Sequence, residues 1–242
     1  MAAWALRTFA TRKTKPMLII LKSLIISKME YGSIIWSPTD VNSIAKLENI
    51  QRSFTSKMAQ FRKYDPPTGL TTTTTNYWER LVLLKIYSLE RRRERYMIIY
   101  MHKIKLGLVP NIGFTFKENN ARTGVKVDIK RNRKAPSWVQ TIRHHSFFTK
   151  GPTLYNAIPA ELRTSDEVTN PKNGNLPSFK CKLDKWLELI PDQPTTDGLV
   201  RAANSNSITV QAITHVRTIQ QKWRDLQNKA KDMERKTTNT TG

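Results

Sequence analysis

Apolar residues recur at intervals of three and four through most of the first ~110 positions, the spacing of one helical face. Met17, Leu18, Ile20, Leu21, Leu24 and Ile25 form a wide apolar face. Pro16 precedes them and suits a first helical turn, because its φ is already fixed and its missing N–H would have had no acceptor there. Thr14 is the expected cap. Tyr31–Pro38 follows, with Gly32 and the aromatic pair Tyr31 and Trp36, which is expected in the core. Thr39 or Asp40 can then cap a second helix by accepting a bond from a free backbone N–H. Its buried stripe is expected to be Val41, Ile44, Leu47, Ile50, Phe54 and Met58. Tyr64–Asn76 reads as a loop: Pro66, Pro67 and Gly69 punctuate it, and Thr71–Thr75 is a poor helix former.

A short helix through Trp78, Leu81, Val82 and Leu84 leads to Ser88, a cap for a long helix from Leu89 to Leu106 that Gly107 and Pro110 end. Around this helix Leu89, Tyr96, Met97, Ile99, Tyr100 and Ile104 share an apolar arc. Arg91, Arg95, His102 and Lys105 gather opposite. Arg92 and Arg93 fall inside the apolar arc, where a guanidinium needs an anionic partner, and Glu79 is the candidate.

The pattern changes after Asn111. Val125, Val127 and Ile129 alternate with polar residues, as a strand does. Trp138, Val139 and Ile142 are its expected hairpin partner, joined through Arg131–Pro136. Phe147 to Ile158 is apolar at helical spacing although Gly151-Pro152 interrupts it. A polar stretch, 164–177, precedes a helix through Phe179, Leu183, Trp186, Leu187 and Ile190, with Ser178 as its cap. Residues 191–207 read as a linker. From 208 to 236, Ala212, Val216, Ile219, Trp223, Leu226, Ala230 and Met233 are spaced as heptads. That helix is either a short coiled coil or an amphipathic helix docked on the rest.

The fold class is therefore mainly α: a helical domain over 1–110, a small α+β segment with one hairpin over 111–190, a linker over 191–207, and a C-terminal helix over 208–236. No stretch reaches the ~18 uninterrupted apolar residues of a membrane span, and the N-terminus does not have the order of a signal peptide. The expectation is an intracellular chain.

Charge changes the picture most. The chain of 242 residues carries a net +22. Residues 1–150 hold 28 basic and 9 acidic residues, a net +19, against 13 and 10 in the remainder. A field of that sign and asymmetry favours a polyanion, of which nucleic acid is the commonest. The cations expected to meet phosphates are Lys13, Lys15, Lys57, Arg91, Arg95 and Lys105 on helices, with Lys130, Arg131, Arg133 and Lys134 around the expected hairpin turn.

Catalytic chemistry finds little support. One cysteine, Cys181, and four histidines cannot supply the usual structural zinc sets. His144 and His145, read on a strand, would point to opposite faces. There is no phosphate-loop glycine pattern and no Asp-Asp pair for two-metal phosphoryl transfer. No metal, cofactor or catalytic residue is expected.

Three stretches in order carry a family resemblance. They are "LKSLIISKMEYGSIIWSP" at Leu21–Pro38 continuing into "LENIQRSFT" at Leu47–Thr55, "YWERLVLLKIYSLERRRERYMIIYMHKI" at Tyr77–Ile104, and "SFFTKGPTLYNAIPAELR" at Ser146–Arg163 followed by "SFKCKLDKWL" at Ser178–Leu187. Together they resemble the C-terminal third of non-LTR (LINE-type) retrotransposon reverse transcriptases of the jockey and chicken-repeat group. The resemblance implies a helical thumb, which grips the template–primer duplex, followed by a post-thumb region. The family's palm signature, an aromatic residue followed by x-Asp-Asp, is absent from these residues, so no catalytic residue carries over. The resemblance further implies an RNA–DNA hybrid as ligand and a nuclear or ribonucleoprotein setting. The competing expectations are an interaction module that recruits a partner helix through 208–236, and a decayed reading frame with no selected function.

Overall fold

The computed structural model describes residues 2–65, 70–118, 125–129, 134–164, 176–194, 206–225 and 228. The chain is mainly helical, with two short antiparallel ladders. It divides into two compact units, one of residues up to Met97 together with His145–Phe147, the other of Ile98–His144 and Phe148–Gly242. The division falls inside the long helix, ahead of the change in sequence pattern after Asn111.

The first unit opens with α1 (Ala2–Thr8) and α2 (Thr14–Ile20). The helix continues through a π-helical stretch, Leu21–Ile26, into α3 (Ser27–Glu30). Its apolar face is the expected one: Met17, Ile20, Leu21, Ile25 and Ile26 are buried, with Leu18 and Leu24 partly so. Thr14 does not cap it. Lys13 holds the cap position without a side-chain bond, and the Thr14 hydroxyl donates instead to Gln60 Oε1 at 2.7 Å.

α4 (Ser33–Trp36) leads to α5 (Val41–Thr55). Asp40 caps α5, its Oδ2 accepting the Ser43 N–H at 2.9 Å and the Ser43 hydroxyl at 3.1 Å. These bonds, the backbone one first, hold the Asp40 carboxyl below its ordinary value. A carboxyl depressed in the folded state stabilises above its unfolded value and loses that contribution as pH falls through the folded one. The melting-temperature gap between the parent and Asp40→Ala should therefore be widest near neutrality and close below about pH 4. Asp40→Asn keeps the acceptor and should track the parent more closely, and a gap that does not change with pH would count against this cap.

The buried face of α5 is not the purely apolar stripe expected. Phe54 and, just beyond the helix, Met58 are buried and Leu47 and Ile50 pack partly against the core, but Glu48, Gln51 and Thr55 are buried too, while Val41 is exposed. The polar groups are inside because other backbone needs them. Gln51 Nε2 donates to the Tyr87 carbonyl at 3.1 Å. Glu48 receives the Leu89 N–H, 3.2 and 3.1 Å from its two oxygens, and the Tyr77 hydroxyl.

A 3₁₀ turn (Ala59–Phe61) follows, and then β1 (Arg62–Asp65) pairs antiparallel with β2 (Leu70–Thr73), Arg62 opposite Thr73 and Asp65 opposite Leu70. The expected loop is thus a hairpin. Its threonines are β-branched, poor in helices and well suited to a pleated strand. In α6 (Tyr77–Leu84), Asn76 and Glu79 form a reciprocal capping box, with the Asn76 N–H donating to Glu79 Oε2 at 3.1 Å. Arg80 reaches back to the last turn of α5, Nη2 donating to the Arg52 carbonyl at 3.3 Å, while Nη1 donates to the Thr75 carbonyl just before α6 at 2.7 Å. Burial pushes its guanidinium below its ordinary value.

α7 (Leu89–Lys105) belongs to both units. Ser88 Oγ accepts the Arg91 N–H at 3.1 Å, the expected cap. Gly107, at φ +70°, ends the helix. Its N–H donates to the Ile104 carbonyl at 3.1 Å, and the Leu108 N–H donates to Lys103 at 3.0 Å. This reverse pair of bonds requires a left-handed residue at Gly107.

In the second unit β3 (Phe116–Glu118) pairs antiparallel with β4 (Val125–Val127), Phe116 opposite Val127. The partner expected for β4, Trp138–Ile142, is instead part of α8 (Ser137–His145), in which no residue is buried. α9 (Phe147–Ala157) runs unbroken through Gly151 and Pro152. α10 (Ala160–Thr164) and α11 (Leu176–Leu187) follow. Ser178 lies within the first turn of α11 and does not precede it. Phe179, Leu183, Trp186 and Leu187 are buried as expected. The Phe179 ring lies flat on His102, centroids 3.6 Å apart, and His102 Nδ1 is 3.2 Å from the Tyr155 hydroxyl.

The small β3–β4 ladder is held by side chains on helices. The Asn156 amide accepts the Val127 N–H and donates to the Val127 carbonyl, both at 2.9 Å, as a neighbouring strand would. Arg163 Nη1 donates to the Val125 carbonyl at 2.9 Å. Asn156→Asp keeps the acceptor and sets a carboxylate against the Val127 carbonyl. It should cost about 1–3 kcal/mol, measured by urea unfolding. A change indistinguishable from that of Asn156→Ser would mean that the amide does not hold the strand.

At the C-terminal end α12 (Ile208–Thr214) stops at His215 and a further helix occupies 216–225. Ile208, Gln211 and Ile219 are buried while Val216 is exposed, which departs from the expected single heptad stripe. Leu226, Ala230 and Met233 lie outside the residues whose side chains are described.

Candidate nucleic-acid interface

The ten cations expected to meet phosphates separate into three groups. Lys13 and Lys15, at the start of α2, Lys57, just beyond α5, and Lys134 are exposed. Lys130, Arg131 and Arg133 lie outside the described residues, as does the expected hairpin turn. The α7 set is corrected. Arg91 is fully buried, Arg95 is half-buried, and Lys105 is half-buried with its ammonium donating to the Arg163 carbonyl. His102, placed with them, is buried as well. The arc of apolar residues misleads here because α7 is covered on nearly all sides. Tyr96, assigned to the apolar arc, is its one exposed position.

The arginines that were to be paired find other partners. Arg92 joins Glu30 at the end of α3 as a two-pronged ion pair, Nη2 to Oε2 at 3.0 Å. Burial alone would push the Arg92 guanidinium down. The hydrogen bond and charge of Glu30 outweigh it and leave it raised. Arg93 is buried and burial holds its guanidinium below the ordinary value, Glu48 being the largest compensating charge. Glu79, the expected partner, is exposed in its capping box. His144 and His145 are exposed on α8 rather than on a strand.

Aromatic placement is also corrected. Tyr31 and Trp36, expected in the core, are 86% and 42% exposed, and Phe148, in the apolar run of α9, is 53% exposed. Gly32 explains the first two. It sits at φ +65° between α3 and α4, and this left-handed turn swings the chain so that Tyr31 projects. Trp36 folds back over it, Nε1 donating to the Tyr31 carbonyl at 2.6 Å. Beside the turn lies a cleft of about 480 Å³ lined by Lys22, Ser27, Glu30, Tyr31, Gly32, Ser33, Ile34, Arg92 and Tyr96. Sequence reasoning missed it. The local signal was Gly32 between an aromatic residue and a serine, the composition of a turn rather than of a core segment.

The exposed charge of the first unit is mainly positive. Arg7, Lys13, Lys15, Lys22, Lys28, Lys46, Arg52, Lys57, Arg62, Lys63 and Lys85 are exposed. Among its carboxylates with described side chains only Asp40 and Glu79 are exposed, since Glu48 and Glu94 are buried and Glu30 and Glu90 half-buried. Arg80, Arg91 and Arg93 are drawn inside as well, but exposed cations still far outnumber exposed carboxylates on this unit. Among the described residues, no three His, Cys, Asp or Glu side chains cluster as a metal site, and no helix is long and apolar enough to cross a membrane. Comparison with protein-family models, with curated proteins and with solved structures finds no match.

Proposed function

We propose that the chain is a non-catalytic nucleic-acid-binding module, related by its sequence motifs to the thumb and post-thumb of non-LTR retrotransposon reverse transcriptases, and that it holds a template–primer hybrid by its backbone. The observation that carries this reading is the excess of exposed lysines and arginines over exposed carboxylates in the first unit. Such a surface neutralises phosphates and releases their counterions with little reading of bases. Lys13, Lys15 and Lys57 fit that role among the helical cations first expected. Arg91 does not, because a buried guanidinium cannot reach a phosphate.

The polymerase chemistry of the related enzymes has no counterpart in these 242 residues, which contain no Asp-Asp pair. The role is to hold the substrate of a catalytic centre supplied from elsewhere, in the nucleus or in a ribonucleoprotein particle. The test is binding of the purified chain to an RNA–DNA hybrid of mixed sequence and to a scrambled hybrid of the same length. Affinities within about threefold of each other fit backbone recognition. A difference of the size of specific readout, about a thousandfold or more, would contradict it.

A further inference from the structure

We infer that the cleft beside Gly32 seats one unpaired nucleotide of a nucleic-acid strand, its base against Tyr31 and Tyr96 and its phosphate on Lys22 and Arg92. The inference deepens the nucleic-acid reading and rests on it only for the duplex to which the unpaired strand is joined.

The cleft has the parts that such a ligand needs, and the fold holds two of them in place. Tyr31 is 86% exposed, so its ring is open to a ligand. It is not on a loose loop. The left-handed Gly32 fixes the turn, and Trp36 fastens the Tyr31 carbonyl with its indole N–H. Every base has a π-face, so stacking on tyrosine favours unpaired nucleotides without choosing among them. Tyr96, the outward residue of α7, lines the same cleft.

Arg92 supplies the anion contact. Glu30 takes its Nε and Nη2, which locks the guanidinium plane, and among the described residues Nη1 makes no hydrogen bond. A guanidinium plane held in this way is suited to a phosphate oxygen, although Glu30 shares the cleft wall with it. Lys22, exposed on the π-helical stretch, adds a second positive charge on the cleft wall. With Glu30 neutralised by Arg92, the cleft keeps a net positive charge. At about 480 Å³ it has room for a nucleotide but none for a duplex.

The experiment uses the full chain and three probes: a blunt RNA–DNA hybrid, the same hybrid with a short single-stranded tail carrying 2-aminopurine, and free adenosine monophosphate. The parent should bind the tailed hybrid about tenfold more tightly than the blunt one and quench the 2-aminopurine. Tyr31→Ala, at a side chain that carries no core packing, should abolish both the gain and the quenching while leaving blunt-hybrid affinity and the melting temperature unchanged. Lys22→Gln should reduce the gain and flatten its salt dependence. Equal affinity for blunt and tailed hybrids, or a gain indifferent to Tyr31, overturns the cleft assignment and leaves the duplex reading standing. No binding to the blunt hybrid with Tyr31-dependent binding of the tail does the reverse. Adenosine monophosphate bound as tightly as the tail would overturn the assignment to a strand in favour of a mononucleotide site.

Discussion

Glu48→Ala is expected to cost the first unit about 3–5 kcal/mol, the penalty of removing one partner from a buried charge network. Three groups depend on this carboxylate. The Leu89 N–H at the start of α7 and the Tyr77 hydroxyl at the start of α6 both donate to it. Arg93 is buried, with no acceptor for its Nε and Nη2 among the described residues, and Glu48 is the largest of the charges that offset its burial. Truncation strands two donors and a cation together. Glu48→Gln, which keeps an acceptor and removes the charge, should fall between Glu48→Ala and the parent. Glu79→Ala, at the residue that sequence reasoning put opposite these arginines, removes only part of an exposed cap and should cost about 1 kcal/mol or less. Urea unfolding of the three variants measures the order. A Glu48→Ala loss within about 0.5 kcal/mol of zero, or one no larger than that of Glu79→Ala, would remove Glu48 from the centre of this unit.

What was legible in the sequence follows the hydrophobic period. The apolar face of α2 and its π-helical continuation, the Asp40 and Ser88 caps, the Gly107 stop and the core face of α11 all stand where spacing and cap chemistry put them. The mainly α class follows from these. The misses share a physical cause. Periodicity assigns a face to a helix by assuming that polar residues seek water, whereas Glu48, Gln51, Arg91 and His102 are inside, among groups from other elements. No spacing rule identifies those partners, because they come from other elements: Tyr87 for Gln51, Leu89 for Glu48, Tyr155 for His102.

Short strands were the second blind spot. β3 is three residues long and shows no alternation that could be read, so Trp138–Ile142 stood in for it. β4 is also held by Asn156 and Arg163, on helices that come later in the chain, contacts that no local pattern shows. The aromatics failed in the opposite direction. Trp36 and Tyr31 are large and apolar enough to suggest a core, but the glycine between them directs the chain outward. Of the candidate interface, its sign and its bias to the first half of the chain were legible. Which cations point out was legible at Lys13, Lys15 and Lys57 and not on α7, since α7 is enclosed.

Salt should weaken hybrid binding steeply, by about a thousandfold between 50 and 200 mM if six or so phosphates are neutralised. The slope can be taken apart with charge-removing variants, because each lost phosphate contact lowers it by about 0.9. Changing Lys13, Lys15 and Lys57 together to Gln removes three exposed charges from the first unit and should flatten the slope by up to about three contacts. Lys130, Arg131, Arg133 and Lys134 together should flatten it by up to about four, as their density in the sequence suggests. The same change at Lys172, Lys180, Lys182 and Lys185 should matter less, since Asp184 and Glu188 share that segment and the second part of the chain is close to neutral. Arg91→Gln should lower stability and leave the slope alone, as a fully buried guanidinium releases no counterion from DNA or RNA. The informative comparison is between the first and last of these variants. If Arg91→Gln flattened the slope while the triple lysine variant kept the parent's, phosphates would be meeting α7 itself, and the inward sorting of its arginines could not describe the bound state.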